Sequence, residues 1–400
     1  MEETLSKEEI NDLLNEVVNV DNLVIDNNPS YKIIDELCKY FSSSSKLNNY
    51  NSIVFNINLR SNIIDKVIDL LFVLSEKYDK IDELTIYYND IYDVNKTGIN
   101  RLTKEQIKRL SDFIKLNKLE CLYLNYCFAS FDNLELFCEA LTSNTNIKSI
   151  SLINNHFNNY TLSLIFNSLK SNDIETLNIK YRKTTFNYKS LQNDKYLFYI
   201  KELLKVNHNI INLIVHSDEF IDFDKDEAIY LSEILKYSSI QYLKLDHNRI
   251  NDEIFNIFYN SLKDNNNLTD LDLSYNHLTN DSYIKIVNML KTNKSLISLN
   301  LDGKKNNEIE IFTDLLKDNL KNNNTLMYLN IGDEFFGKRK DHTKSIMNLI
   351  EMLKTNKILS SIKLPTYIIR NKKYKKLFYD NLQGIRHIKL YCYNDEFYEL

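Results

Sequence analysis

The segment LTDLDLSYNHL, from Leu268 to Leu278, places apolar residues at its first, fourth, sixth and eleventh positions, with Asn276 at the ninth. The same frame returns as IQYLKLDHNRI from Ile240 and as IKSISLINNHF from Ile147. Looser copies begin at Val20, Tyr50, Ile81, Leu119, Ile174, Ile210, Leu296, Leu326, Leu359 and Ile385, thirteen copies in all. The second apolar position falls at 23, 53, 84, 122, 150, 177, 213, 243, 271, 299, 329, 362 and 388, at intervals of 26 to 38 residues. Registered repetition of this length restricts a chain to a stack of similar units, each burying its apolar face against its neighbours.

Between the copies the apolar period changes to that of a helix. NDEIFNIFYNSLKDNNN puts Ile254, Ile257, Phe258 and Leu262 on one stripe, and Ile284, Ile286, Val287 and Leu290 repeat the pattern. Many of these helices stop on a shared signal, Leu-x-x-Asn-x-x followed by the next strand's first apolar residue. Leu141/Asn144/Ile147, Leu262/Asn265/Leu268, Leu320/Asn323/Leu326 and Leu353/Asn356/Leu359 are instances. With only five glycines in 400 residues, the left-handed turns are expected to fall to Asn and Asp, and these Asn residues to left-handed helix caps. The expected unit is strand, loop, helix, Asn cap.

A frame of this kind resembles the ribonuclease-inhibitor-like class of leucine-rich repeats, from about Val20 to the C-terminus. The resemblance implies an α/β leucine-rich-repeat solenoid, a horseshoe with a concave parallel sheet and convex helices. The expected domains are a capping helix over 1–19 and one repeat domain of about thirteen repeats over 20–400. Ser6 and Glu9 form a capping box ahead of Ile10, Leu13, Leu14 and Val17. The chain departs from the family at the ninth position, held by Cys127, Arg182, Asp218, Lys304, Glu334, Tyr367 and Tyr393 in seven copies. In the family the Asn there bonds neighbouring loop backbone, so these repeats are expected to be less regular.

Strand alternation sends the third, fifth and seventh residues of each copy to the concave side and the eighth to its rim. Tyrosine recurs at these places, and acidic residues gather in the later copies. The candidate protein-binding residues are Tyr242, Asp246, Asp270, Asp272, Tyr275, Asp302, Tyr328 and Asp333. Aromatic anchors set among charge are what interface hot spots tend to be made of. The acidic residues come from four successive strands, where uncompensated like charge costs stability, and the expected partner is a protein with a basic surface.

The chain's formal net charge is -5, which argues against a general nucleic-acid binder. One stretch differs: Lys338 to Lys389 carries 14 basic and 3 acidic residues, a local +11. Its densest part, RNKKYKK from Arg370, reads as the solvated face of a helix whose apolar stripe is Tyr374, Leu377 and Phe378. No apolar run approaches the ~20 residues that span a bilayer, and the polar start MEETLSKEEI is no signal peptide. Five cysteines without a CxxC pair point to a reducing, intracellular and cytoplasmic setting. His216, His247 and Asp246 would be neighbours, but the sequence offers no HExxH motif or Cys/His ligand spacing to support a metal. No catalytic set and no cofactor loop is found. The expected function is a non-catalytic scaffold for protein–protein interaction. The alternative, implied by the family, is a GTPase-activating or regulatory protein.

Overall fold

The structure is a computed structural model that describes residues 22–25, 31–43, 52–58, 63–87, 102–125, 127–128, 134–153, 155, 157, 159–181, 195–217, 223–303, 309–332, 341–383, 389–391 and 397–398. The chain divides into two compact units, Met1–Ile210 and Ile211–Leu400. The N-terminal helix expected over 1–19, Asp333, and most of the ninth-position exceptions lie outside the described residues.

The first unit has strands β1 (Asn22–Ile25), β2 (Ser52–Asn58), β3 (Ile81–Tyr87), β4 (Leu119–Asn125), β5 (Ser149–Ile153) and β6 (Thr176–Tyr181). Its helices are α1 (Tyr31–Ser43), α2 (Ile64–Lys77), α3 (Lys104–Ile114), α4 (Leu134–Ser143), α5 (Asn159–Ser168) and α6 (Tyr196–Leu204). The second unit has β7 (Asn212–Ser217), β8 (Tyr242–Lys244), β9 (Asp270–Asp272), β10 (Ser298–Asn300), β11 (Tyr328–Asn330), β12 (Ser361–Lys363), β13 (Lys389–Tyr391) and β14 (Phe397–Tyr398). Its helices are α7 (Lys225–Tyr237), α8 (Asp252–Asp264), α9 (Asn280–Leu290), α10 (Ile309–Leu320), α11 (Thr343–Thr355), α12 (Thr366–Arg370) and α13 (Lys372–Leu382). Within each unit strands pair in chain order and in parallel, apart from antiparallel β13–β14, and successive helices pack on one another. One layer of strands against one layer of helices, repeated in sequence, is an α/β leucine-rich-repeat solenoid.

The register follows the predicted frame through the middle of the chain: Leu84 pairs with Leu122, Leu122 with Ile150, Leu243 with Leu271 and Leu271 with Leu299. It departs at both ends. Leu84 is aligned with Phe55, not Ile53, and Ile362 with Leu390, not Ile388. Both slips are of two residues, which keeps every side chain on its own face. In β2, Ile53, Phe55 and Ile57 are all buried, so the pattern offers three equivalent frames. The helical stripes are also turned slightly. Phe255 and Tyr283 are buried where Ile257 and Ile284 were expected, and those two are half-buried.

The predicted left-handed Asn caps are not found. Asn265 and Asn356 are extended, with φ/ψ of -74/129 and -77/130. Each is buried and bridges repeats instead. Asn356 accepts from Ile358 N (2.8 Å) and Leu359 N (2.7 Å) and donates to Leu320 O (2.7 Å) in the preceding repeat. Asn265, Asn144 and Asn323 make the same set, donating to Leu235 O (2.5 Å), Ile114 O (2.9 Å) and Leu290 O (2.8 Å). The amide satisfies the strand's first N–H groups and the previous helix's last carbonyls together, which a glycine in the left-handed region cannot do.

Candidate functional site

A second Asn ladder fixes the loops after the strands. Asn276 donates to Leu245 O (2.8 Å) in the preceding repeat and accepts from Asn248 N (3.1 Å) and Ile250 N (3.0 Å). Asn248 donates to Val215 O (2.7 Å), and Asn155 donates to Leu124 O (2.7 Å) while accepting from Cys127 N and Phe128 N. Cys127, at the same position, directs its thiol to Ile86 O at 3.3 Å. The thiol thus takes over the donor half of the asparagine's work. Its repeat stays in register with both neighbours, so the irregularity expected there is not seen in the strands.

In strands β7 to β13 the third and fifth residues face solvent. The third-position row reads Asn212, Tyr242, Asp270, Ser298, Tyr328, Ser361 and Lys389 across successive strands. The fifth-position row reads Ile214, Lys244, Asp272, Asn300, Asn330, Lys363 and Tyr391. All are half-buried or exposed, while the Leu or Ile between them is buried in every strand. Tyr242 and Asp270 are direct register partners, and Tyr328 is 48% exposed.

The acidic residues have distinct surroundings. Asp270 accepts from Thr269 Oγ1 at 2.7 Å. Asp272 accepts from Ser274 N (2.8 Å), Ser274 Oγ (2.5 Å) and Asn300 Nδ2 (2.9 Å). Asp246 is buried, and its carboxylate lies 2.6 Å from His216 Nδ1, 3.0 Å from His247 Nδ1 and 3.8 Å from Lys244 Nζ. Burial pushes that carboxyl up, but the hydrogen bond and charge of His216, then His247 and Lys244, outweigh it and hold the group below the usual carboxylate range. The Tyr242 hydroxyl is pushed the other way, first by burial and then by the negative charge of Asp272, Asp246 and Asp270. The field of the acidic residues is therefore felt at the aromatic beside them.

The rim is held by backbone that most residues avoid. The eighth positions of three successive repeats are His247 (φ 57), Tyr275 (φ 53) and Gly303 (φ 140). A side chain in the left-handed region costs about 1–2 kcal/mol. His247 and Tyr275 stack with ring centroids 4.5 Å apart, and the Tyr275 hydroxyl donates to Asp302 Oδ2 at 3.3 Å. A Cβ at Gly303 would lie 2.8 Å from Tyr275 N, and one at Gly332 would lie 1.5 Å from Asp302 Oδ1. Asp302 is thus buried against a glycine that sequence reading passed over. The signal was available, since Gly303 and Gly332 are two of only five glycines.

The predicted residues thus fall into two groups. Tyr242, Asp270, Asp272 and Tyr328 share the sheet face, while Asp246, Tyr275 and Asp302 form a contiguous rim beside it. Among the described residues no group of three or more His, Cys, Asp or Glu side chains could hold a metal ion, and no helix is long and apolar enough to cross a membrane. Most of the densest part of the basic stretch lies in α13, where Tyr374 and Phe378 are buried but Leu377 only half-buried, and Lys373 pairs with Asp341 at 3.0 Å.

No family model matches the chain, and no curated protein sequence matches it. Among solved structures, an internalin from Listeria monocytogenes is 15% identical with a TM-score of 0.41, covering 90% of this chain and 88% of that one. Actin-binding site 2 of leiomodin-1 is 22% identical with a TM-score of 0.31, covering 40% of this chain and 91% of that one. The fold assignment rests on strand order and register.

Proposed function

We propose that the chain is a non-catalytic scaffold of the ribonuclease-inhibitor-like class that recognises a protein partner through the concave face of its sheet, centred on β8 to β11. The observation that carries this reading is the third-position row, where Tyr242, Asp270 and Tyr328 project to solvent from strands locked in register. A preformed sheet face loses little entropy on binding, and aromatic anchors beside charge supply the contacts that dominate interface energies. The acid pair Asp270 and Asp272 favours a basic surface on the partner, with Asp246, Tyr275 and Asp302 shaping the rim; Asp333, outside the described residues, belongs to the same proposed set. The domain division, a cap over 1–19 and one repeat domain over 20–400, belongs to the same proposal. So does a reducing, intracellular setting, which the hydrogen-bonding Cys127 thiol favours.

The test is quantitative capture of partners by the full chain at low salt, with Asp270→Ala/Asp272→Ala beside it. The proposal expects the same protein to be captured and weakened about tenfold or more in the double variant. Equal capture by both would refute the sheet face as the recognition surface.

A further inference from the structure

The two solvent-facing rows of the second unit are not uniformly acidic. Asp270 and Asp272 stand on β9. Next come β10 and β11, which contribute only neutral side chains to these rows: Ser298, Asn300, Tyr328 and Asn330. Lys363 on β12 and Lys389 on β13 follow, with Ser361 aligned to Lys389 and Tyr391 to Lys363. Along one continuous, registered path the face therefore runs from negative, through a neutral stretch with an exposed tyrosine, to positive. On the opposite side of β9, Lys244 is aligned with Asp272, which confines the negative field to a narrow band instead of spreading it over the face.

We infer that the partner segment is bipolar: basic residues seat over β9, acidic residues over β12 and β13, and a neutral stretch crosses Tyr328. This deepens the sheet-face reading above and rests on it. Opposite charges at two ends of a path fix the direction and position of the bound segment, because a uniformly basic segment gains at one end and is repelled at the other. From β9 to β12 there are three strand steps of about 4.8 Å, or about 14 Å, and β13 lies one step further. An extended segment covers the first distance with about four residues. A bound segment therefore has its basic and acidic blocks separated by about three neutral positions.

Three fluorescein-labelled peptides test this on the full chain by anisotropy in 50 mM and 300 mM salt. One carries three Lys, three Gly/Ser/Tyr residues and three Glu in that order. The second has the same composition with Lys and Glu alternating, and the third replaces the Glu with Gln. The block peptide is expected to bind the wild-type chain at least about fivefold tighter than either control at low salt, with the margin shrinking at high salt. Lys363→Gln/Lys389→Gln is expected to erase the advantage over the Gln peptide while leaving the Gln peptide's own binding intact. Asp270→Asn/Asp272→Asn is expected to weaken both. These variants keep side-chain size at solvent-facing positions, and matching circular dichroism melts establish that they fold. Equal binding of the block and Gln peptides overturns bipolarity while the sheet-face reading stands. Equal binding of the block and alternating peptides overturns the ordered layout. Binding that ignores Asp270 and Asp272, or no binding by any peptide, overturns both readings.

Discussion

Replacing Asn276 with Ala removes the buried amide that joins two repeats. Four buried backbone groups lose the amide as partner: the N–H groups of Asn248 and Ile250 and the carbonyls of Leu245 and Leu273. Each orphaned buried group costs about 1–3 kcal/mol. Water entering the vacated space satisfies some of them, so the net loss is about 3–5 kcal/mol. The side chain itself contributes little apolar transfer energy, so nearly all of the effect is polar. Asn276→Cys is expected to fall between, because a thiol can donate as Cys127 does to Ile86 O but restores neither accepted bond. A repeat chain need not unfold in one step, so native-state amide exchange is the assay. Exchange at Asn248 and Ile250 is expected to accelerate by about a hundredfold or more in Asn276→Ala, the kinetic image of about 3 kcal/mol. Unchanged protection at these two amides would refute the reasoning that the ladder, not the strand, holds the loop.

Gly303→Ala puts a Cβ against the Tyr275 backbone at a φ of +140 that an L side chain rarely adopts, and is expected to lower the urea midpoint more than Gly332→Ala, whose Cβ meets the Asp302 carboxylate, a side-chain end that can move. Burial raises the Cys38 thiol to about 11 and the Cys138 thiol to about 12. Alkylation of both at pH 8, followed by peptide mass spectrometry, is therefore expected to be at least about a hundredfold slower in the native chain than in urea. Asp246 is held below its ordinary value in the folded chain. The stability that its charge contributes is thus complete above about pH 4, its unfolded range, and is lost as pH falls through the lower folded value. The difference in urea midpoint between wild type and Asp246→Asn should accordingly shrink below about pH 4, and a difference that grows there would contradict the assignment.

The repeat frame was legible because it is written twice, once as alternation in the strands and once as helical spacing between them. Its register was legible only where the alternation begins and ends sharply, as around Leu271. Where three apolar residues alternate, as in β2, a two-residue slip costs nothing in the pattern and the sequence does not choose. The Leu-x-x-Asn signal marks the helix ends, but its chemistry is not that of a left-handed cap. A helix-terminal Asn in a single helix is expected to be a left-handed cap. In a stack the preceding repeat offers bare carbonyls, and an extended Asn can reach them while still serving its own strand. The left-handed residues depart in the opposite sense. They were expected at Asn and Asp, yet His247, Arg249 and Tyr275 carry positive φ beside Asn117. At the eighth position the ladder on the ninth residue dictates the loop path, and stacking of His247 on Tyr275 offsets part of its conformational cost. The alignment of Tyr242 with Asp270 followed directly from the frame. The burial of Asp246 and Asp302 did not, because it depends on His216 and Gly332 in neighbouring repeats.

The central claim is that the solvent-facing side of β8 to β11 recognises a protein. Its most direct measurement is amide exchange of the full chain with and without a captured partner, resolved to peptides covering each strand and each helix. The account predicts added protection in segments carrying Tyr242, Asp270 and Tyr328, lost in Asp270→Ala/Asp272→Ala, with the exposed sides of α8 and α9 unchanged. Protection confined to the helices, or persisting in the double variant, would contradict it.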